Sequence, residues 1–137
     1  YDVLQWLMFQ MANLGPVCGQ AHHFRDAAPE RLAYAVARFT NEAGRLYNVM
    51  DRRLGEADYL AGDYSIADIA CWPWVRLHRY HGQPFEEFPN VKRWFDAISA
   101  REGTQRGMDL LRDRRATGPI GEAARDILFG ATQYRRR

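Results

Sequence analysis

Two polar side chains in residues 62–75 stand at a spacing that could do chemistry. Ser65 and Asp68 lie three residues apart at the start of an apolar run. A hydroxyl and a carboxylate placed in this way can act as an acid/base pair. The same spacing is that of a helix capping box, in which each side chain satisfies a free backbone N–H of the first turn. We therefore predict that Ser65 and Asp68 form a structural cap.

Histidine and cysteine supply the other reactive groups. His22 and His23 are adjacent, so their side chains point about 100° apart on a helix. Neither has a third ligand at metal-binding spacing, so we expect a polar cleft wall or a structural pair and no metal. Cys18 precedes His22 by four residues, which leaves a histidine-assisted thiol as an alternative. Cys71 is predicted to be an inert buried thiol, although a single Cys18–Cys71 disulfide is also compatible with the sequence.

Arg38 and Gln5 have simple structural interpretations when the residues are taken alone. Arg38 lies on a polar helix face, four residues before Glu42, and the two can form an ion pair. Gln5 follows Asp2 at capping-box spacing, so it can close the first turn of a helix.

Apolar periodicity predicts the helices that position these groups. A first helix is expected over residues 2–12, with a break or kink at Gly15-Pro16. Pro29 is expected in the first turn of a second, long helix. One face of that helix carries an apolar row: Leu32, Val36, Phe39, Ala43, Leu46, Met50 and Leu54. The helix opened by Ser65 is apolar on nearly every side, which indicates a buried central position, with a bend at Pro73.

Shorter helices complete the pattern. Pro89 should begin one with Val91, Trp94, Phe95 and Ile98 on a single face. Gly103 is expected to end it, and a short helix follows around 104–114, before a break at residues 117–119. The sequence therefore predicts an all-α bundle of about five helices around a buried central helix, with residues 1–119 as the domain and 120–137 as a tail.

Composition limits the possible functions. The 137 residues suit one domain, and a net charge of +2 is too small to indicate nucleic acid. No apolar run is long enough to span a membrane, so we expect neither a nucleic-acid nor a membrane partner. Two cysteines without a Cys-x-x-Cys motif suit a reducing compartment, and we expect a cytoplasmic protein. Three arginines at the end can touch RNA or acidic partners, but such an end is usually solvated.

At this point the motifs resemble a known family. Residues 60–69, Leu-Ala-Gly-Asp-Tyr-Ser-Ile-Ala-Asp-Ile, resemble the signature of the glutathione transferase C-terminal domain, and residues 88–95 look like its next helix. Further segments are similar to the bacterial nu class, the disulfide-bond reductase type, and cover most of residues 4–101. They are Gln5-Trp6-Leu7, Leu14-Gly15-Pro16, Gly19-Gln20, His22-His23-Phe24, Ala28-Pro29 and residues 34–39 and 70–75.

The resemblance implies a glutathione-dependent disulfide reductase or transferase, with glutathione as co-substrate. An N-terminal thioredoxin-like domain, absent from this chain, would hold the thiol-activating residue, so this half alone is expected to be inactive and to contain no catalytic residue. The helical half would form the substrate-side wall of the glutathione cleft and part of a homodimer interface. Arg38 matches the arginine that contacts glutathione, and Gln5 stands where a residue reaches the partner subunit's glutathione. The remaining candidates for the wall are Phe9, Gln10, Asn13, His22, His23 and Phe24.

Two hypotheses of different classes follow. The chain is the helical half of an enzyme acting on a small thiol, disulfide or electrophile, or it is a non-catalytic glutathione-transferase-like module for dimerisation. The retained glutathione-facing positions favour the enzyme. Residues 127–130 resemble the tail that packs over the domain in this class, and we hypothesise that it covers the cleft.

Overall fold

The computed structural model describes residues 1–114 and 121–134, and most of these residues are helical. Within these ranges, extended backbone pairs only in two isolated bridges, Tyr59 with Gly62 and Ala61 with Asp63. The predicted all-α fold class is confirmed. The predicted break at residues 117–119 and the three terminal arginines lie outside the described residues.

The first part of the chain is one continuous helical rod. It consists of α1 (Asp2–Phe9) and α2 (Gly15–His22), joined by a π-helical turn at Gln10–Leu14 and followed by another at His23–Ala27. The prediction that Gly15-Pro16 breaks the helix is therefore wrong. Pro16 has no N–H for the carbonyl four residues earlier, and the wide turn just before it accommodates the ring without ending the helix.

The long helix α3 (Ala33–Glu56) begins later than predicted. Pro29 lies in a bend before it, and the residue preceding α3, Leu32, is extended and 46% exposed. The assignment of Pro29 to the first helical turn is therefore wrong. The later part of the predicted apolar row is confirmed, together with one aromatic residue that the row did not include: Ala43, Leu46, Tyr47, Met50 and Leu54 are buried.

Helix α4 (Ile66–Val75) begins at the predicted capping box. The Ala67 N–H donates to Ser65 Oγ at 3.2 Å, and the Ser65 N–H donates to Asp68 Oδ2 at 3.0 Å. The helix runs on through Pro73 to Val75 and packs against α1, α2 and α5 (Pro89–Ser99). It is not buried on every side, however, because Ile66 and Ile69 are 58% and 53% exposed.

The last helices pack on this centre. Pro89 begins α5 as predicted, with Val91, Trp94 and Ile98 buried. Gly103 lies inside α6 (Glu102–Asp109) and does not end α5, and α6 stops before the predicted 114, where a short 3₁₀ turn follows at Arg112–Arg114. The C-terminal segment contains α7 (Glu122–Phe129) and a 3₁₀ turn at Ala131–Tyr134.

Candidate functional site

Arg38 lies on the exposed side of α3. The predicted pair with Glu42 is wrong, because Glu42 instead accepts two hydrogen bonds from Arg45, at 2.9 Å from Nε and 2.8 Å from Nη2. The pKa of Glu42 is lowered by that hydrogen bond first, with a smaller effect of the Arg38 charge. Within the described residues, the Arg38 guanidinium makes no hydrogen bond or ion pair, so its donors remain available to a ligand.

Gln5 is also exposed, on α1. Its predicted structural role as the partner of Asp2 in a capping box is wrong. Asp2 is the first residue of α1, Tyr1 precedes it as the N-cap, and no side chain caps that end. The Gln5 backbone N–H donates to the Tyr1 carbonyl at 2.9 Å. The Gln5 side chain lies on the surface.

Three further candidates lie along the same rod and face different ways. The Phe9 ring packs edge-on against Trp6, with centroids 5.0 Å apart. The Gln10 amide covers Gly15, where an added Cβ would lie 3.0 Å from Gln10 Nε2 and 3.3 Å from Trp74. Asn13 is exposed. Phe9 therefore packs at the edge of the core, Gln10 lies where the rod meets Trp74 of α4, and Asn13 faces solvent.

His22 faces the interior at the far end of the rod. Its ring stacks on Tyr80 with centroids 4.6 Å apart and lies edge-on to His81 at 6.5 Å. Its Nε2 is 3.8 Å from a carboxylate oxygen of Asp26. This arrangement matches a structural role for His22 rather than a metal ligand.

His23 and Phe24 face α7 and α3. The His23 ring lies 4.9 Å from the Phe129 ring of α7. Phe24 stacks in parallel on Phe39, at 5.5 Å between centroids, and Phe39 is the neighbour of Arg38 on α3. These aromatic side chains therefore join the end of the rod to α3 and α7.

The structure thus divides the predicted site residues into two groups. One group, His23 and Phe24, lies at the end of the rod, where Phe24 contacts Phe39 on the part of α3 that carries Arg38. The other group, Gln5, Phe9 and Gln10, lies in the first half of the rod. Gln5 precedes Phe24 by nineteen residues on the rod, which is about five helical turns. Gln5 and Arg38 therefore lie at different ends of the domain.

The cysteines have no catalytic geometry. Cys18 and Cys71 are both free and buried, so the alternative of a disulfide between them is wrong. Burial raises the pKa of the Cys18 thiol to about 12, which disfavours the thiolate, and His22 is stacked on Tyr80. The alternative of a nucleophilic Cys18 is therefore wrong as well.

Sequence reasoning missed a buried polar pair between α3 and the turns that follow α4. His81 is completely buried, its Nδ1 lies 3.2 Å from the hydroxyl of Tyr47, and its Nε2 has no hydrogen-bond partner in the described residues. Burial lowers the pKa of His81 to about 4, with smaller effects of the nearby charges, so the ring is neutral at pH 7. No periodic pattern surrounds residues 77–83, so the sequence offered no signal for this pair.

The C-terminal segment folds back over the end of the rod. Arg125 Nη1 donates to the Ala27 carbonyl at 3.0 Å, and Phe129 contacts His23. A cavity of about 560 Å³ lies between Pro29 and α7. The tail therefore packs against His23 and the bend that precedes α3.

A second depression lies at the opposite side of the domain. This groove, of about 960 Å³, runs between α4 and α6 and is lined by apolar and basic side chains that include Ile69, Pro73, Met108 and Arg101. The guanidinium of Arg101 lies 3.7 Å from the centre of the Tyr64 ring. The sequence had suggested no opening here, because α4 was expected to be covered on all sides.

The described ranges lack both a metal-binding cluster and a membrane-spanning helix. They contain no group of three or more histidine, cysteine or carboxylate side chains that could hold a metal ion. None of their helices has both the length and the apolar character needed to cross a membrane.

The sequence matches known proteins. The family model described as the glutathione S-transferase C-terminal domain matches residues 5–102. The chain is 46% identical over 110 residues to the disulfide-bond oxidoreductase YfcG of Escherichia coli, a match that covers 80% of this chain and 50% of YfcG. It is 35% identical over 130 residues to the disulfide-bond oxidoreductase YghU of the same organism, covering 88% of this chain and 44% of YghU.

The fold also matches solved structures. A glutathione transferase from Pseudomonas putida, with one glutathione disulfide bound per subunit, superposes with a TM-score of 0.74 and 38% identity, covering 81% of this chain and 51% of that one. A glutathione transferase from Burkholderia graminis, with two glutathione molecules per subunit, gives 0.74 and 36%, covering 82% and 50%. The chain spans about half the length of the curated relatives it matches.

Proposed function

The chain belongs to the glutathione S-transferase C-terminal domain family, and from this membership we propose that it is the helical half of a glutathione-dependent disulfide-bond reductase of the nu class. The similarity to two disulfide-bond oxidoreductases supports the reaction type. The relatives with bound glutathione or glutathione disulfide support the co-substrate. The observation that carries the proposal is the exposed guanidinium of Arg38, which makes no hydrogen bond or ion pair within the described residues.

The proposed reaction is thiol–disulfide exchange. A glutathione thiolate attacks one sulfur of a disulfide, forms a mixed disulfide and releases the other sulfur as a thiolate. A second glutathione thiolate then attacks the glutathione sulfur of the mixed disulfide, which forms glutathione disulfide and releases the second substrate thiolate. Cys18 and Cys71 are buried and do not take part. In the proposed whole protein, a thioredoxin-like domain supplies the group that activates the glutathione thiol. Arg38 binds and orients a glutathione carboxylate, for which its planar fork of donors is well suited.

The proposed dimer uses the outer face of α1. Leu4, Met8 and Met11 are 61%, 53% and 60% exposed and follow one another at helical spacing, so they form an apolar stripe. Gln5 lies beside this stripe. A second copy that covers the stripe would bring the Gln5 amide toward glutathione bound to the partner subunit.

The groove between α4 and α6 is the proposed seat of the thioredoxin-like domain. Ile66 and Ile69 are large apolar side chains on a helix whose other face is buried, and exposed apolar surface of this extent usually marks an interface. Two free thiols suit a reducing compartment, so the cytoplasm is the proposed location.

Substitution of Arg38 tests the proposal. In the full-length protein, Arg38→Ala should raise the KM for glutathione in a disulfide reduction assay by about tenfold or more, because a charge-assisted hydrogen bond contributes about 1.5–3 kcal/mol. Arg52→Ala is the matched control, an exposed arginine on the same helix four turns away. An equal KM in the two variants would refute the role of Arg38.

Two further measurements separate the alternatives. The intact mass of the native protein should exceed this chain by one small domain; a mass equal to this chain would favour the non-catalytic module. Deletion of residues 120–137 should change glutathione affinity if the tail covers the cleft, since α7 packs on His23. Unchanged affinity would show that the tail has no such role.

A further inference from the structure

The four methionines of this chain differ widely in their exposure to solvent. The side chain of Met50 is completely buried on α3, and Met108 is partly buried against the core. Met8 and Met11 are more than half exposed and lie three residues apart in the first half of the rod. The exposed thioethers are therefore concentrated on one short stretch of the chain.

The two cysteines do not compete with these methionines for an oxidant. Cys18 and Cys71 are free, and both are completely buried. Burial raises the pKa of each thiol to about 12, so the reactive thiolate is scarce at neutral pH. A peroxide therefore meets the exposed thioethers before it meets a reactive thiol of this chain.

The sequence around Met8 and Met11 is free of charged residues. Residues 3–21 contain no aspartate, glutamate, lysine or arginine, although several of them are exposed. Leu4 precedes Met8 by one helical turn and extends the apolar stripe. Depletion of charge together with enrichment of methionine is typical of the centre of a protein–protein interface. A second copy of the chain fits this face, since an uncharged surface meets its own copy without like-charge repulsion.

We propose that Met8 and Met11 are the sites at which a peroxide modifies this protein, and that their oxidation separates the two copies of the dimer proposed above. The thioether sulfur attacks one peroxide oxygen, so that an S–O bond forms and the O–O bond breaks. The sulfur loses two electrons, and the proton of the transferred oxygen passes to the departing oxygen, which leaves as water or an alcohol.

The product changes the character of the α1 face. A sulfoxide is polar, whereas the thioether it replaces is apolar. Oxidation of both methionines in both copies therefore places four polar groups at one apolar contact. The modification step stands on the exposure of the thioethers in the single chain, whereas the effect on assembly rests on the dimer of the proposed function.

Peptide mapping of the full-length protein by tandem mass spectrometry tests the modification step. After brief exposure to hydrogen peroxide, Met8 and Met11 should each gain one oxygen atom at least about tenfold faster than Met50, because accessibility controls the rate. Their oxidation should slow as the protein concentration rises above the dimer dissociation constant, since the second copy covers them. Equal rates at Met50, or a first oxidation at Cys18 or Cys71, would overturn the assignment.

Sedimentation velocity before and after peroxide treatment tests the effect on assembly. Oxidation should raise the dimer dissociation constant about a hundredfold or more, because four unpaired polar groups would be buried in the contact. Met8→Leu/Met11→Leu is the matched control, since it keeps apolar side chains of similar size, and its dimer should resist peroxide. Met8→Gln/Met11→Gln carries a permanent polar group at both positions and should be monomeric without peroxide. Leucine and glutamine are both good helix formers, so α1 is retained in the two variants.

Three results would overturn the effect on assembly. Equal dissociation of the leucine variant and the wild type under peroxide would assign the loss to other sites. A wild-type dimer that persists with both methionines oxidised would show that the contact tolerates sulfoxides. A wild-type protein that is monomeric before oxidation would refute the proposed dimer as well, while the peptide mapping would still decide the modification step. The Arg38→Ala assay does not involve α1, so the reductase proposal is tested separately.

Discussion

Asp68 and His81 are both completely buried polar side chains of this domain, and their surroundings differ. The carboxylate of Asp68 accepts from the Leu60 N–H at 3.0 Å, the Ser65 N–H at 3.0 Å and Trp94 Nε1 at 2.8 Å. His81 has one partner, the Tyr47 hydroxyl, and its second nitrogen has none in the described residues. Three donors satisfy the buried oxygens of Asp68, whereas the site around His81 accepts only the neutral ring.

Removal of the Asp68 carboxylate should have the largest effect. Asp68→Ala leaves the buried Leu60 N–H and Trp94 Nε1 without an acceptor, and each such group costs about 1–3 kcal/mol. We expect the free energy of unfolding to fall by about 3–5 kcal/mol in urea denaturation. Asp58→Ala, which removes an exposed carboxylate paired with Arg93, should change it by less than about 1 kcal/mol. A loss no larger than that of Asp58→Ala would contradict the structural role of Asp68.

Low pH should destabilise the folded protein through the other buried group, His81. The pKa of His81 is lowered to about 4 in the folded protein from 6.5, so the unfolded chain binds the proton more readily. The contribution of neutral His81 to the free energy of unfolding is complete above pH 6.5 and falls as the pH drops toward 4. It amounts to about 3 kcal/mol. Urea denaturation from pH 8 to pH 4 measures this slope, and it should be shallower in His81→Gln. The same slope in both proteins would rule out His81 as its source.

The carboxylate of Asp51 extends the comparison, because it caps a helix other than the one that carries it. Asp51 of α3 accepts from the backbone N–H groups of Asn90 at 2.8 Å and Val91 at 3.0 Å, and so caps α5 from another helix. Asp51→Ala should lower the free energy of unfolding by about 2 kcal/mol, because the site is only half-buried and water can replace part of the loss. Asp51→Asn, which keeps one acceptor oxygen, should lose about half as much; equal losses would show that the cap is not the cause.

The serine of the capping box should have the smallest effect. Ser65→Ala removes one hydrogen bond to the Ala67 N–H, and we expect a loss of about 1 kcal/mol. Ser65→Thr keeps the hydroxyl and should lose less. A Ser65→Ala loss as large as that of Asp68→Ala would mean that the two residues stabilise only as a unit.

The two helix caps show why some features could be predicted. Ser65 and Asp68 lie within one helical turn, so their spacing alone predicts the cap at the start of α4. Asp51 caps α5 from 39 residues away in the sequence, and no local pattern near Pro89 predicts this cap. The same limit applied to the site: the family pattern selects Arg38 and Gln5 as candidates, but their positions in different parts of the domain, and the pairing of Glu42 with Arg45, depend on how the helices pack.

The sequence by itself determined the helices and the family. Their apolar spacing, the Ser65–Asp68 box and Pro89 at the start of α5 are local patterns, and local patterns are set by interactions within one or two turns. Tertiary structure alone decided that Gly15-Pro16 continues a rod, that Ile66 and Ile69 stay exposed, and that His81 is buried against Tyr47. Those outcomes depend on which surfaces of distant segments meet, and burial and hydrogen-bond pairing between them cannot be read from spacing along the chain.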